Sequence, residues 1–295
     1  MSNNQIACSI NTTECTVVRL TTSGSTGYSL STCKTFQSGL GELASGKRKR
    51  ILNKLERHLK EWPKEDIALC VEPGNYLPLP AYFPAEASPE ECKEYSAIEA
   101  GFFLTQPEQY RCENTRYSDN TGGELLKKHL LLFYPEEQCR TVSEFFSTNH
   151  RIVFSGSPQL PMLYLSRLTE EPQVILELEN NYVLLNMSRN GRIDYFSFHQ
   201  VKNREEREYF ALKELADNPV CRETSVQVTG TMADTMIVAL IGKETSIALK
   251  TFGIPPSISI SNPHNFSISS VSAVKAISTA LMALAENDGT TTFSR

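Results

Sequence analysis

The opening of the chain falls into three short apolar or β-branched runs, Gln5–Ile10, Cys15–Thr22 and Tyr28–Phe36, divided by polar turns at Asn11–Glu14 and Ser23–Gly27. This pattern predicts a β-meander. The period then changes. Between Lys47 and Trp62, Ile51, Leu55, Leu59 and Trp62 share one helical stripe with basic residues around the rest, and Pro63 ends the helix. Ile67–Glu72 reads as a buried strand. Pro73-Gly74 and Pro78, Pro80 and Pro84 then mark an extended passage. Ser88-Pro89-Glu90-Glu91 carries a full helix start, with Ser88 as cap, Pro89 at the first position and Glu91 closing the capping box, for a helix to about Phe103. Past a polar loop at Asp119–Gly123 come a strand at Leu130–Tyr134, a helix at Glu136–Asn149, a strand at Arg151–Ser155 and a short helix at Pro161–Leu168.

A second unit opens at Gln173. Val174–Leu185 and Arg192–Val201 read as two strands hinged on Arg189-Asn190-Gly191, where Asn-Gly supplies the positive φ of a tight hairpin. Helices at Arg204–Ala216 and Ala233–Ile241 alternate with strands at Ser225–Val228, Thr245–Leu249 and Ser257–Ile260. Val271–Glu286 is the last helix, and its alanines suit close packing. A length of 295 residues favours two domains.

Composition narrows the classes. A 40% hydrophobic and 21% charged chain is globular, and a net charge of −5 argues against general nucleic-acid binding. The eight cysteines form no CxxC and several sit in apolar runs, which points to free buried thiols in a reducing cytoplasm. The first residues lack the basic and apolar regions of a signal peptide. The most apolar helix, Val271–Ala285, carries Ser272, Lys275, Ser278 and Thr279 and does not read as a membrane span.

Ala7-Cys-Ser-Ile-Asn-Thr-Thr-Glu-Cys-Thr-Val-Val-Arg-Leu20 and Val174–Gly191 each read as strand, turn, strand. Ser88–Phe103, with Ile98-Glu99-Ala100, is an acidic helix. Phe252-Gly-Ile-Pro255 is followed by Asn262-Pro-His-Asn-Phe266 and the alanine-rich helix. In that order and spacing these pieces resemble the PilM proteins of type IV pilus assembly, the cytoplasmic part of the GspL proteins of type II secretion and, more distantly, FtsA. The resemblance implies an α/β, actin-like (ribonuclease H-like) fold of two related domains, each a mixed sheet opening with a β-meander and flanked by helices. Residues 1–168 would form domain I, with a small inserted subdomain at about 78–118. Residues 169–295 would form a shortened domain II, its terminal helix 271–286 packing back on the domain interface.

The departures from that family bear on function. At the first phosphate turn, where the family has Asp and Gly, stand Ser9 and Asn11, followed by Thr12. At the second turn Glu177 and Glu179 take the Asp and Gly positions, and in the adenosine turn Gly230 alone remains of a double glycine. Glycines there let backbone N–H groups reach phosphate, whereas carboxylates repel it. The resemblance therefore implies a degenerate nucleotide cleft, no cofactor, no catalytic or metal-ligating set, and a non-catalytic scaffold. A nucleotide-binding ATPase or sugar-kinase relative using Thr12, Thr13 and Asn180 is the alternative.

Other motifs resolve to ordinary structure. Gly41–Arg48 imitates a phosphate loop but lacks the Ser/Thr that holds magnesium, and Ser23–Gly27 lacks the first glycine of a nucleophile elbow. The five histidines show no ligand spacing. The basic helix Lys47–Lys60 offers a weak tether to an anionic membrane, which suits a cytoplasmic protein working at the inner face of a membrane. PilM-like proteins receive an extended segment of a membrane-anchored partner in a groove beside the insert. The resemblance places that groove here near Tyr76, Tyr82 and Tyr110, with Phe102 and Phe103 expected in the core.

Overall fold

A computed structural model describes residues 4–23, 27–43, 48–118, 125–260 and 271–287. The Ser23–Gly27 turn, the Gly41–Arg48 loop, the Asp119–Gly123 loop and Asn262–Phe266 fall wholly or partly outside them. Among the described residues the strands form three sheets.

The first sheet has the order β14-β3-β2-β1-β4-β8. The expected meander is present as β1 (Asn4–Ile10), β2 (Cys15–Ser23) and β3 (Gly27–Phe36). After α1 (Leu40–Leu43) and the amphipathic α2 (Arg48–Leu59), β4 (Ile67–Val71) joins β1 in parallel. All five β4 residues are buried, which is why this run is apolar rather than alternating. α4 (Glu136–Phe146) leads into β8 (Ile152–Gly156), parallel to β4 and at the sheet edge.

The small sheet is β5-β7-β6, built from β5 (Leu77–Pro84), β6 (Tyr110–Arg116) and β7 (Leu126–Pro135). β7 carries it past residue 118, the expected end of the insert. The proline-rich passage is itself a strand. Pro78, Pro80 and Pro84 are an even number of residues apart, so their missing N–H groups all fall on the unpaired side of an edge strand. α3 (Pro89–Phe103) covers the sheet and starts as the sequence indicates: Glu91 N–H donates to Ser88 Oγ at 3.2 Å and Ser88 N–H to Glu91 Oε2 at 2.8 Å.

The third sheet has the order β11-β10-β9-β12-β13. The expected long strand Val174–Leu185 is two strands, β9 (Gln173–Leu178) and β10 (Tyr182–Arg189), because the chain reverses at Glu179–Asn181 with Glu179 N–H on Tyr182 O at 2.9 Å. β10 turns into β11 (Arg192–Gln200) through Asn190 and Gly191, both at positive φ as Asn-Gly predicts. α6 (Arg204–Asp217) and α7 (Val220–Glu223) precede β12 (Val226–Thr229), and α8 (Thr235–Thr245) precedes β13 (Leu249–Thr251). α8 runs to Thr245, beyond its expected end at Ile241, which displaces the strand expected at Thr245–Leu249.

The chain end returns to the first sheet. β14 (Ile258–Ile260) adds beside β3, and α9 (Val271–Asn287) packs on β1, β2, β4 and α5 (Gln159–Leu165). One core cluster joins Ala7, Val18, Met162 and α9 residues to Ile175 of β9, so α9 lies where the two large sheets meet. Every residue from Ser272 to Ala285 is buried, polar Ser278 and Thr279 included, so the helix is covered on all sides in the manner of a central core helix. No helix among the described residues is long and apolar enough to cross a membrane.

Candidate functional site

Glu72 follows the last residue of β4, Glu177 lies in β9, and Lys275 lies in the second turn of α9. Lys275 Nζ donates to Glu72 Oε2 and to Glu177 Oε1, each at 2.5 Å, and so ties one large sheet to the other. Lys275 and Glu177 are fully buried and Glu72 nearly so. Burial disfavours the ammonium, but Glu177 and Glu72 outweigh it and hold Lys275 well above its ordinary range. Burial pushes Glu72 up, aided by the neighbouring Glu177 and against the pull of Lys275. Ser9 Oγ donates to Glu72 Oε1 at 3.2 Å. Glu72, Glu177 and Glu179 bring ligand oxygens within 4.8 Å of one another, the spacing of a cation site, and the Lys275 ammonium is the cation against two of them.

The two turns that the resemblance assigns to phosphate and adenosine have their own acceptors. Asn11 Oδ1 accepts Thr13 N–H at 2.9 Å and Glu14 N–H at 2.8 Å. Asn11 Nδ2 donates to Ser272 Oγ of α9 at 3.1 Å, and Ser272 Oγ donates to Glu14 Oε1 at 2.5 Å. Behind the turn, Leu40 N–H and Gly41 N–H donate to the carbonyls of Asn11 and Thr12 at 2.8 and 3.0 Å. Gly39 is pressed so close that a Cβ would stand 2.3 Å from Asn11 O. In the adenosine turn Glu179 accepts Thr231 N–H at 3.0 Å and also the Thr231 hydroxyl. Gly230, at φ +106°, lies on Leu178, where a Cβ would sit 2.1 Å from the carbonyl oxygen. Burial pushes the Glu179 carboxyl up to about 7, with Lys275 opposing and Glu177 adding.

Ser9, Asn11, Glu177, Glu179 and Gly230 therefore line one interface, while Thr12, Thr13 and Asn180 are exposed at its rim. Glu177 is not the unpaired repelling carboxylate the sequence suggests, because Lys275 meets it. Glu72 and Lys275 are the members sequence reasoning missed. The available signal was a single lysine in an otherwise uncharged helix core, and a carboxylate ending a wholly apolar strand.

A groove of about 800 Å³ lies elsewhere, between α3 and β6 on one side and β8 on the other. Tyr110 lines it. Tyr82 does not, standing half exposed on β5. Tyr76 is displaced altogether: it is buried between β7 of the small sheet and β10 and β11 of the third, edge-on to Tyr134, Tyr182 and Phe198 at centroid distances of 6.0, 5.9 and 6.5 Å, where four rings exclude water. Phe102 and Phe103, expected in the core, are exposed at 79% and 58%, since the inward face of α3 is taken by Ser96 and Ala100. Two side chains cross the groove floor from β6: Arg111 donates to Ser155 O at 2.6 Å, and Glu113 accepts Ser157 N–H and Tyr134 OH, each at 2.6 Å.

No family model matches the sequence, and no curated protein does. Solved structures do match. The chain is similar to a structure of the PilM-PilN type IV pilus biogenesis complex, at 10% identity with a TM-score of 0.68, covering 98% of this chain and 99% of that one. A Bacteroides thetaiotaomicron protein with an actin-like ATPase fold and unknown function gives 12% identity and a TM-score of 0.50 over 96% and 95%. The ethanolamine utilization protein EutJ from Carboxydothermus hydrogenoformans gives 8% and 0.50 over 96% and 89%. The chain has an actin-like α/β fold and resembles PilM, as its sequence implied.

Proposed function

We propose that this protein is a non-hydrolysing, actin-like scaffold that takes an extended segment of a protein partner into the groove between α3, β6 and β8. The observation that carries the first half is the Glu72–Lys275–Glu177 bridge. It fills the interface where the fold would place nucleotide phosphates, while Asn11 and Glu179 use the backbone donors that would hold them. The second half rests on the groove and on likeness to a structure described as a PilM-PilN complex. On this reading the protein works in the cytoplasm beside a membrane-anchored partner, with Lys54, Arg57 and Lys60 of the exposed α2 region adding a weak attraction to anionic lipid.

Thermal melting with millimolar Mg-ATP is the test. A functional site at 100 times its dissociation constant adds about 2.7 kcal/mol to stability. The scaffold reading expects no shift and no phosphate release. A saturable rise in melting temperature removed by Thr12→Ala or Asn180→Ala establishes the nucleotide-binding alternative instead.

A further inference from the structure

The groove described above runs between two strands that each end a sheet. β6 pairs only with β7, and β8 ends the first sheet. Tyr110 to Asn114, Arg116 and Ile152 to Ser155 face the opening. At ~3.3 Å per residue the seven-residue β6 edge is about 20 Å long, room for an extended segment of six or seven residues. Beyond Arg116 the edge is closed by a bridge from Tyr117 to Ile193, with Ser118 N–H on Ile193 O at 2.8 Å.

Three cationic side chains, Lys93, Arg111 and Arg116, line the groove with two carboxylates, Glu108 and Glu113. Arg111 and Glu113 lie on one face of β6 and are both committed across the floor, to Ser155 and Ser157. Arg116 lies on the other face, where the neighbouring polar groups are already paired: Asn114 Oδ1 with His129 Nδ1 at 2.6 Å, and Asn114 Nδ2 with Ser96 Oγ at 3.3 Å. Arg116 Nε is buried and has no hydrogen-bond partner. Among the described residues no carboxylate forms an ion pair with Lys93, Arg111 or Arg116, although all three line the groove. A half-buried guanidinium with an unmet donor is an anion's position, because a buried donor left unpaired costs more than a made bond returns. Small α3 residues, Ala97 and Ala100, leave the space above it open.

We propose that the groove selects an extended peptide segment bearing an aspartate or glutamate, whose carboxylate sits on Arg116 and Lys93 while its backbone pairs along the β6 edge. This rests on the docking reading above and names its partner's chemistry. Backbone pairing supplies affinity without regard to sequence, and the Arg116 contact supplies the choice.

A displayed library of random twelve-residue peptides, panned on the full chain, tests it. Ala97→Trp, an exposed substitution that fills the groove, serves as the blocked form, and Arg116→Glu and Arg116→Gln as the charge variants. The expected result is enrichment of sequences with an acidic residue at one position. Binding is lost in Ala97→Trp and falls tenfold or more when that acid becomes an amide or Arg116 becomes Gln. Arg116→Glu prefers the same peptide with lysine in place of the acid. Peptides that Ala97→Trp blocks but that ignore the acid and Arg116 overturn the acidic selectivity and leave groove docking standing. A library with no Ala97→Trp-sensitive binders overturns both.

Discussion

Replacing Lys275 with Met keeps the helix propensity and most of the volume at this position while removing the ammonium that pairs with Glu72 and Glu177. Both carboxylates are then stranded, since Glu72 keeps Ser9 Oγ alone and Glu177 Oε2 already lacks a partner. Breaking a buried ion pair from one side costs about 3–5 kcal/mol. For a chain of 295 residues, at ~2.1 cal/mol/K of unfolding entropy per residue, that is a fall in melting temperature of roughly 5–8 °C. The sign with pH follows from Glu72, which burial already pushes up. A group with a raised folded pKa contributes its stability below its unfolded value and loses it as pH rises through the folded value. The Lys275→Met deficit is therefore largest near pH 8 and shrinks toward pH 5 as the stranded Glu72 takes up a proton. The triple variant Glu72→Gln/Lys275→Met/Glu177→Gln recovers most of the loss, because no charge is left buried. Scanning calorimetry from pH 5 to 8 decides it. A Lys275→Met protein melting within 1 °C of the parent at every pH refutes a buried, charged bridge.

Two further outcomes are expected. Glu179→Gln should stabilise the protein at pH 8.5 relative to pH 5 by about 2 kcal/mol, because the Glu179 carboxyl is pushed up to about 7 and the fold loses that proton's contribution as pH rises past it; a pH-independent difference in melting temperature contradicts this. Gly39→Ala should cost about 3 kcal/mol, since its Cβ would meet backbone atoms of Asn11, Thr12 and Thr13 at 2.3–2.6 Å, and urea unfolding with an unchanged midpoint would show that the turn yields instead.

The fold was legible wherever local chemistry decides local structure. The Ser88–Glu91 capping box and the Asn190-Gly191 hairpin stand where their residues place them, because each needs only its own neighbours. β6 was not legible. Its Arg111, Glu113, Asn114 and Arg116 make a polar run whose pairing with β7 and contacts across the groove depend on residues far away in sequence. The aromatic cluster misled for the same reason: density around Tyr76–Tyr110 says that aromatic surface must be covered, not which ring is covered by what. Tyr76 went to Tyr182 and Phe198, more than a hundred residues on, and Phe102 went to the surface. In the cleft, the replacements at Asn11, Glu177 and Glu179 were readable, but the residue that gives them meaning, Lys275, arrives from the end of the chain.

Magnitudes decide between an empty cleft and one that holds its own occupants. To seat a triphosphate where Lys275 lies, the chain must release the Glu72–Lys275–Glu177 bridge at ~3–5 kcal/mol, and free Thr13, Glu14 and Thr231 N–H from Asn11 and Glu179 at ~1 kcal/mol each. The sum, about 6–8 kcal/mol, is close to the −8.2 kcal/mol of a ligand that binds an open site at 1 μM, so on the proposed reading a triphosphate is expected to bind at tens of millimolar or weaker. With Asn181 Nδ2 on Gly74 O at 2.7 Å, the bridge fastens the two large sheets to each other. A docking groove whose floor is crossed by Arg111 and Glu113 keeps its shape only if the body beneath it does not open and close. A welded cleft and a preformed groove are, on the proposed reading, two parts of one arrangement.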